Sequence, residues 1–204
     1  AERQAGRNTF ISTHTLHDVG RIKSVLQRAA LMVRVNPLHS GSATEVDAVL
    51  AQGADLLMLP MFTRAQELHD FCVLVAGRRP VVALLETAGA FASMRGWLSA
   101  PGLQEVFVGL NDLHLSLGQR FMFEPLALGL LDAVAQQVNM QGLRFGFGGI
   151  ARLHEGLLPG ADVLAEHVRL GSQAVILSRT FHRSDGSAAL EEEVAVLRHA
   201  ERQL

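Results

Sequence analysis

Continuous apolar runs punctuate the chain at regular intervals: "LMVRV" (31–35), "DLLMLP" (55–60), "PVVALLE" (80–86), "EVFVGL" (105–110), "RFGFGGI" (144–150) and "QAVILS" (173–178). None alternates apolar with polar residues. That pattern predicts parallel strands covered on both faces. The segments between them read as helices. "SATEVDAVLAQGA" has Ser42 or Thr44 as a cap and Gly53 as a stop, and "TRAQELHDFCVLVAG" opens at Thr63 and stops at Gly77. "PLALGLLDAVAQQVNMQG" reads as one helix with Pro125 near its start. A final helix spans about 187–204, with Leu190, Val194 and Leu197 along one side. The first four strands are about one βα unit apart, which suits parallel crossover connections. Two architectures satisfy the pattern, a (β/α)8 barrel and an open doubly wound sheet. The residues form one domain, 1–204. Six strands are firm and "NTFIS" (8–12) is a doubtful seventh, whereas barrel closure needs eight. The expectation is a TIM-type barrel short of one or two N-terminal strands.

Strand ends are where a parallel barrel places its chemistry. Here they carry Arg34-Val35-Asn36, Pro60, Glu86-Thr87, Gly109-Leu110-Asn111-Asp112, Gly148-Gly149 and Ser178-Arg179. Glu86 and Asp112 end consecutive strands, which lie about 4.8 Å apart in a sheet. Both carboxylates can reach one cation, and two carboxylates with waters suit Mg²⁺ or Mn²⁺. A guanidinium at Arg34 can grip a carboxylate or an enolate oxygen. Gly109 leaves backbone room for a ligand, and the N–H groups opening the next helix can bind an anion. Each residue also has a plain structural role open to it. Asn111 or Asp112 could cap "LHLSLG", Glu86 could cap the helix beginning "TAGAFASM", and Arg34 could be half of a rim salt bridge. Gly148-Gly149 could be a tight turn. His14, at a helix start, is a candidate general base with a surface role as the alternative. His114 could support Asp112, and His167 reads as structural.

Composition narrows the function. Apolar residues make up 49% and charged residues 19% of the 204, with a net charge of −2, so the chain is globular. No basic stripe with aromatics is present, which excludes nucleic acid as an expected partner. No apolar run reaches the roughly 18 residues of a membrane span, and the N-terminus has no signal-peptide core. Cys72 is the single cysteine, so no internal disulfide or cysteine cluster forms, and a cytoplasmic setting is expected. Lys23 is the single lysine and lies in a helical segment, which disfavours Schiff-base chemistry. No dinucleotide fingerprint and no zinc-hydrolase histidine pair occurs.

"MVRVNP", "GADLLMLPMF", "ALLETAGA", "VGLNDLHLSLG" and "FGFGGIAR" together resemble the HpcH/HpaI aldolase and citrate lyase β-subunit family, from about Thr13 to Phe181. The resemblance implies a (β/α)8 barrel of the phosphoenolpyruvate/pyruvate-binding type. It implies a divalent metal held by Glu86 and Asp112, and Arg34 on the keto or enolate oxygen of a pyruvate-like substrate. Backbone N–H groups near Gly109 and Asp112 would hold the substrate carboxylate, with Pro60 and Asn111 beside them. It also implies cleavage or formation of a carbon–carbon bond next to a 2-keto acid, an acyl-CoA as a candidate partner, and homo-oligomers formed through the last helices. One departure stands out: Leu84 occupies the position where many keto-acid aldolases of this kind carry glutamine. That leans towards the lyase branch. A non-catalytic metal or keto-acid binding barrel and a phosphosugar isomerase are the alternative readings.

Overall fold

The computed structural model describes residues 14–181 and 190–204. Six strands form one sheet in sequence order: β1 (Met32–Arg34), β2 (Leu56–Leu59), β3 (Val81–Leu85), β4 (Leu103–Val108), β5 (Arg144–Ile150) and β6 (Ala174–Leu177). All five neighbouring pairs are parallel. Between them run α1 (Leu16–Val25), α2 (Ser42–Ala51), α3 (Ala65–Val75), α4 (Ala88–Ala92), α5 (Met94–Trp97), α6 (Leu110–Ser116), α7 (Glu124–Ala127), α8 (Leu130–Met140) and α9 (Gly160–Arg169). The last helix is α10 (Leu190–Glu201). All six firmly predicted strands are present.

The closed barrel is not. The sheet curls into an open half-barrel, and among the described residues β1 and β6 each pair with one neighbour. Eight strands must share the curvature before the first can meet the last. The segment 8–12 lies outside the described residues. The open edges show in the burial. All five residues of β3 are buried, whereas Met32 on β1 is 40% exposed and Ile176 on β6 is 50% exposed.

Alternation along each strand sorts the two faces. Leu57, Leu59, Val81, Ala83, Leu85, Val106, Val108, Phe145 and Phe147 point outward into the main core beneath the helices. Met58, Val82, Leu84 and Phe107 form a second, smaller cluster on the concave face. Phe107 lies over Gly146, where a Cβ would stand 2.9 Å from its ring and 2.6 Å from the Ala174 carbonyl. Gly146 therefore serves close packing. Gly148 and Gly149 are part of β5 at an irregularity in its pairing with β6, not a tight turn.

Helix ends differ from the predicted ones for local reasons. Gly41, not Ser42 or Thr44, occupies the N-cap of α2, because the Ser42 hydroxyl accepts the His39 amide instead. The α3 boundary moves inward to Ala65 because Glu67 accepts the amides of both Thr63 and Arg64. The segment read as one helix after Phe123 is two, α7 and α8, broken where Gly129 takes a left-handed conformation at φ +69°. The C-terminal helix is described from Leu190 and docks on α9 through the buried Leu197, and its expected start near 187 lies outside the described residues.

His167 on α9 is structural, as its sequence position suggested. Its ring stacks on Phe147 with centroids 3.7 Å apart, and Nδ1 bonds the Ser172 hydroxyl at 2.8 Å. Burial pushes its pKa down to about 4 from 6.5, against an opposing pull from Glu201. The folded protein thus resists protonating a group that the unfolded chain protonates readily. The stability this represents is present above about pH 6.5 and is lost as pH falls towards 4. We expect the wild type to lose roughly 3 kcal/mol more than His167→Gln between pH 7 and pH 4, measured by urea unfolding at each pH. Equal losses in both proteins would refute this.

Candidate metal and substrate site

Glu86 follows directly on β3 and is only 4% exposed. It is not a helix cap. Thr87 takes that role, its hydroxyl accepting the Ala90 amide at 3.0 Å and donating to the Phe62 carbonyl at 2.6 Å. The Glu86 carboxylate is left to other partners. Oε1 accepts the backbone N–H of Met61 at 3.0 Å. Oε2 lies over Gly109, 3.0 Å from the point where a Cβ would stand there. Glycine at 109 is what lets the carboxylate lie against the neighbouring strand end.

The parallel ladder makes this meeting. Leu85 pairs with Val108, and the Gly109 amide bonds the Leu85 carbonyl at 3.0 Å. Gly109 is then the N-cap of α6, so Asp112 falls in its first turn. Neither Asn111 nor Asp112 caps that helix, since the N-cap makes no side-chain hydrogen bond. Asp112 is partly exposed, Asn111 is exposed, and the first-turn position suits a carboxylate because the helix dipole is positive there. The Ala88 amide bonds the Ser116 hydroxyl at 2.9 Å, which ties the Glu86-Thr87 turn to the far end of the same helix.

Other candidates sit farther out. Pro60 is buried at the end of β2, one residue before the Met61 amide that holds Glu86. Arg34 is exposed on β1 and makes no salt bridge among the described residues, so the rim ion-pair role is not what occupies it. The register sets it beside Met58, on the concave face, which continues through Val82 and Leu84 to Glu86. His14 is exposed just ahead of α1, beside the capping box formed by Thr15 and Asp18. Near the other end of α1, Lys23 pairs with Asp55 at 2.6 Å, immediately before β2 begins. A ten-residue helix is about 15 Å long, so His14 lies towards the end where the strands finish. His114 does not support Asp112: its Nδ1 bonds the Leu110 carbonyl of its own helix at 3.1 Å.

Two contributors escaped the sequence reading. Met61 takes a left-handed conformation, φ +59°, and methionine gives no signal for that. Glu105, on the concave face beside Val82, is 5% exposed, and burial raises its pKa while Arg144 at 3.4 Å opposes the rise. A lone acid inside the apolar run "EVFVGL" was the available signal. Cys72 is buried in α3 and its thiol is pushed up to about 11 by burial, which leaves it inert.

The candidate donors, Glu86 and Asp112, are both carboxylates. No group of three or more His, Cys, Asp or Glu side chains converges among the described residues. A buried carboxylate from one strand end and a partly exposed one from the next helix turn suit a hard cation that keeps most of its waters, as Mg²⁺ does. A closed zinc site would need more protein ligands.

Residues 12–128 match the profile of the HpcH/HpaI aldolase/citrate lyase family. The chain belongs to that family. All the candidate site residues above fall within the matched span. In this HpcH/HpaI-family chain, 98 residues are 30% identical to a (3S)-malyl-CoA thioesterase of Cereibacter sphaeroides, covering 48% of the chain and 34% of that protein. The match thus spans about a third of the curated relative's length. A HpcH/HpaI aldolase/citrate lyase family protein from Burkholderia cenocepacia superposes with a TM-score of 0.66 at 18% identity, over 93% of this chain and 79% of the other. The citrate lyase beta subunit of M. tuberculosis, complexed with oxaloacetate and magnesium, gives 0.62 at 18% identity, over 84% and 72%. These likenesses establish a shared fold.

Alanine at 109 would place a methyl group against the Glu86 side chain, at a φ of −84° that alanine adopts without strain. We expect Gly109→Ala to destabilise by about 1–3 kcal/mol through this overpacking. The same change in a Glu86→Ala background should cost less than half as much. A double-mutant cycle by urea unfolding measures the difference, and additivity would show that the two side chains do not meet.

Proposed function

We propose that the protein is a divalent-metal-dependent carbon–carbon lyase acting on a 2-keto acid through a pyruvate-type enolate. One observation carries this reading. Glu86 is buried, is not used as a cap, and is held over the glycine that opens the Asp112 turn. Family membership supports the reaction class, aldolase or citrate lyase. Magnesium bound to the M. tuberculosis relative supports the metal.

Glu86 and Asp112 would hold Mg²⁺ or Mn²⁺, which when bound supplies a Lewis acid for the keto oxygen. The amides of Asn111 and Asp112 at the start of α6 would hold the substrate carboxylate. The buried Pro60 and Leu84 would give the substrate apolar neighbours. Arg34 would reach along the concave face to the same oxygen. Negative charge grows on that oxygen as the bond breaks, so the guanidinium contact is stronger in the transition state than in the ground state. His14 is the side chain we assign to carry the proton. An acyl-CoA co-substrate belongs to the same proposal, supported by the malyl-CoA activity named for the C. sphaeroides relative. So does self-association through α10, supported by the exposed Leu190 and Val196. No helix among the described residues is long and apolar enough to cross a membrane, and we place the protein in the cytoplasm.

The open concave face favours one second reading, a module that binds metal and keto acid without turnover. Family membership leaves the phosphosugar isomerase alternative without support. Enolate formation can be tested without knowing the co-substrate, by following exchange of the pyruvate methyl protons in D₂O with Mg²⁺ by NMR. We expect the wild type to catalyse exchange, Glu86→Gln and Asp112→Asn to lose it, and Arg34→Ala to slow it by about 10²–10³-fold. Magnesium-dependent binding of oxalate in a calorimeter without exchange would select the binding module. Neither binding nor exchange would refute both readings.

A further inference from the structure

We infer that the backbone of Met61 is the positioning element for Glu86, and that its left-handed conformation is what aims the amide at the carboxylate. The inference rests on the metal-site reading above. Non-glycine residues seldom take φ near +60°, because Cβ then crowds the neighbouring carbonyl, and such conformations persist where surrounding contacts hold them. At Met61 such contacts surround the turn. Phe62, the next residue, is buried edge-on against Trp97, with ring centroids 5.3 Å apart and planes at 88°. The Phe62 carbonyl accepts the Thr87 hydroxyl at 2.6 Å. Trp97 Nε1 donates to the Ala90 carbonyl at 2.9 Å, and Ala90 is the residue whose amide Thr87 caps. Gly89 abuts the Thr63 carbonyl so closely that no Cβ fits between them. The turn after β2 is therefore stapled to the turn after β3 just beyond Met61 and Glu86, and the β2–β3 ladder joins the two segments just before them. Between the ladder and the staples, the strained residue directs its N–H at Oε1. Oε2 is turned to Gly109 and the Asp112 helix. The backbone holds one oxygen, and the other faces the strand end that opens into the Asp112 turn.

The backbone account makes an ordering that a side-chain role does not. Glycine and asparagine tolerate the left-handed region, whereas β-branched residues do not. Met61→Gly and Met61→Asn should bind Mn²⁺ with wild-type affinity in calorimetric titration. Met61→Val and Met61→Ile should bind about tenfold more weakly, the loss expected for one hydrogen bond to a charged group. Thermal unfolding of each variant checks that it is folded. If all four variants bind alike, or if the order is reversed, the inference is overturned. Should the β-branched variants not fold, Thr87→Val against Thr87→Ser decides. Weak binding by the first and wild-type binding by the second support the staple, and equal binding refutes it. Glu86→Gln is the separate control. Undiminished Mn²⁺ binding there removes the metal site itself, whereas loss of binding there with four equivalent Met61 variants removes only the role of Met61.

Discussion

The hydrogen bond from the Gly109 amide to the Leu85 carbonyl is the last rung of the ladder between β3 and β4, and it determines which residues leave the sheet together. Parallel pairing runs strands in one direction, so their C-terminal ends collect on one rim. At that rung the chain turns from strand to helix on β4, while β3 continues one residue further to Glu86. A carboxylate nearly excluded from water must find hydrogen-bond partners, because desolvating it alone is very costly. The backbone amide of Met61 is one such partner, and the bare face of Gly109 provides the space. A shift of the ladder by one residue would send Glu86 to the helix side, among Leu85 and Val108.

Around that rung the structure divides labour between its two faces. The convex face is a conventional apolar core, capped by helices whose ends are set by local hydrogen bonds. The concave face is sparse. Four apolar side chains cover its centre, Glu105 and Arg144 close one end, and Glu86 occupies the other. Towards β1 and β6 it opens, and this is where Arg34 lies. An arginine on an exposed strand keeps its reach, since no ion pair among the described residues holds it back. The arrangement sets an acid at each end of the apolar centre, with Arg34 on the open edge beside it.

Strain at Met61 and the glycines at 89 and 109 belong to one design. Each allows two backbone segments to approach more closely than side chains normally permit. The turn after β2 is thereby hydrogen-bonded to the turn after β3, and the start of α6 to the end of β3. Thr87 is central to this, because a single hydroxyl both caps α4 and fixes the Phe62 carbonyl. By taking the cap, it releases Glu86 from the role its position suggested.

The sequence by itself determined the six strands, their parallel class, the rim on which the polar residues collect and the family to which the chain belongs. Continuous apolar runs have no stable home except a sheet covered on both sides, and glycine or acid at the run's end marks where cover stops. Only the tertiary structure decided how far the sheet closes, because closure depends on strand count and curvature that no local pattern encodes. It alone decided that Asn111 and Asp112 leave the cap to Gly109, since that turns on which atom wins a hydrogen bond. Met61 was invisible for the same reason: its neighbour Phe62 is held by Trp97 and Thr87, which are distant in the chain and reach it only when the chain folds.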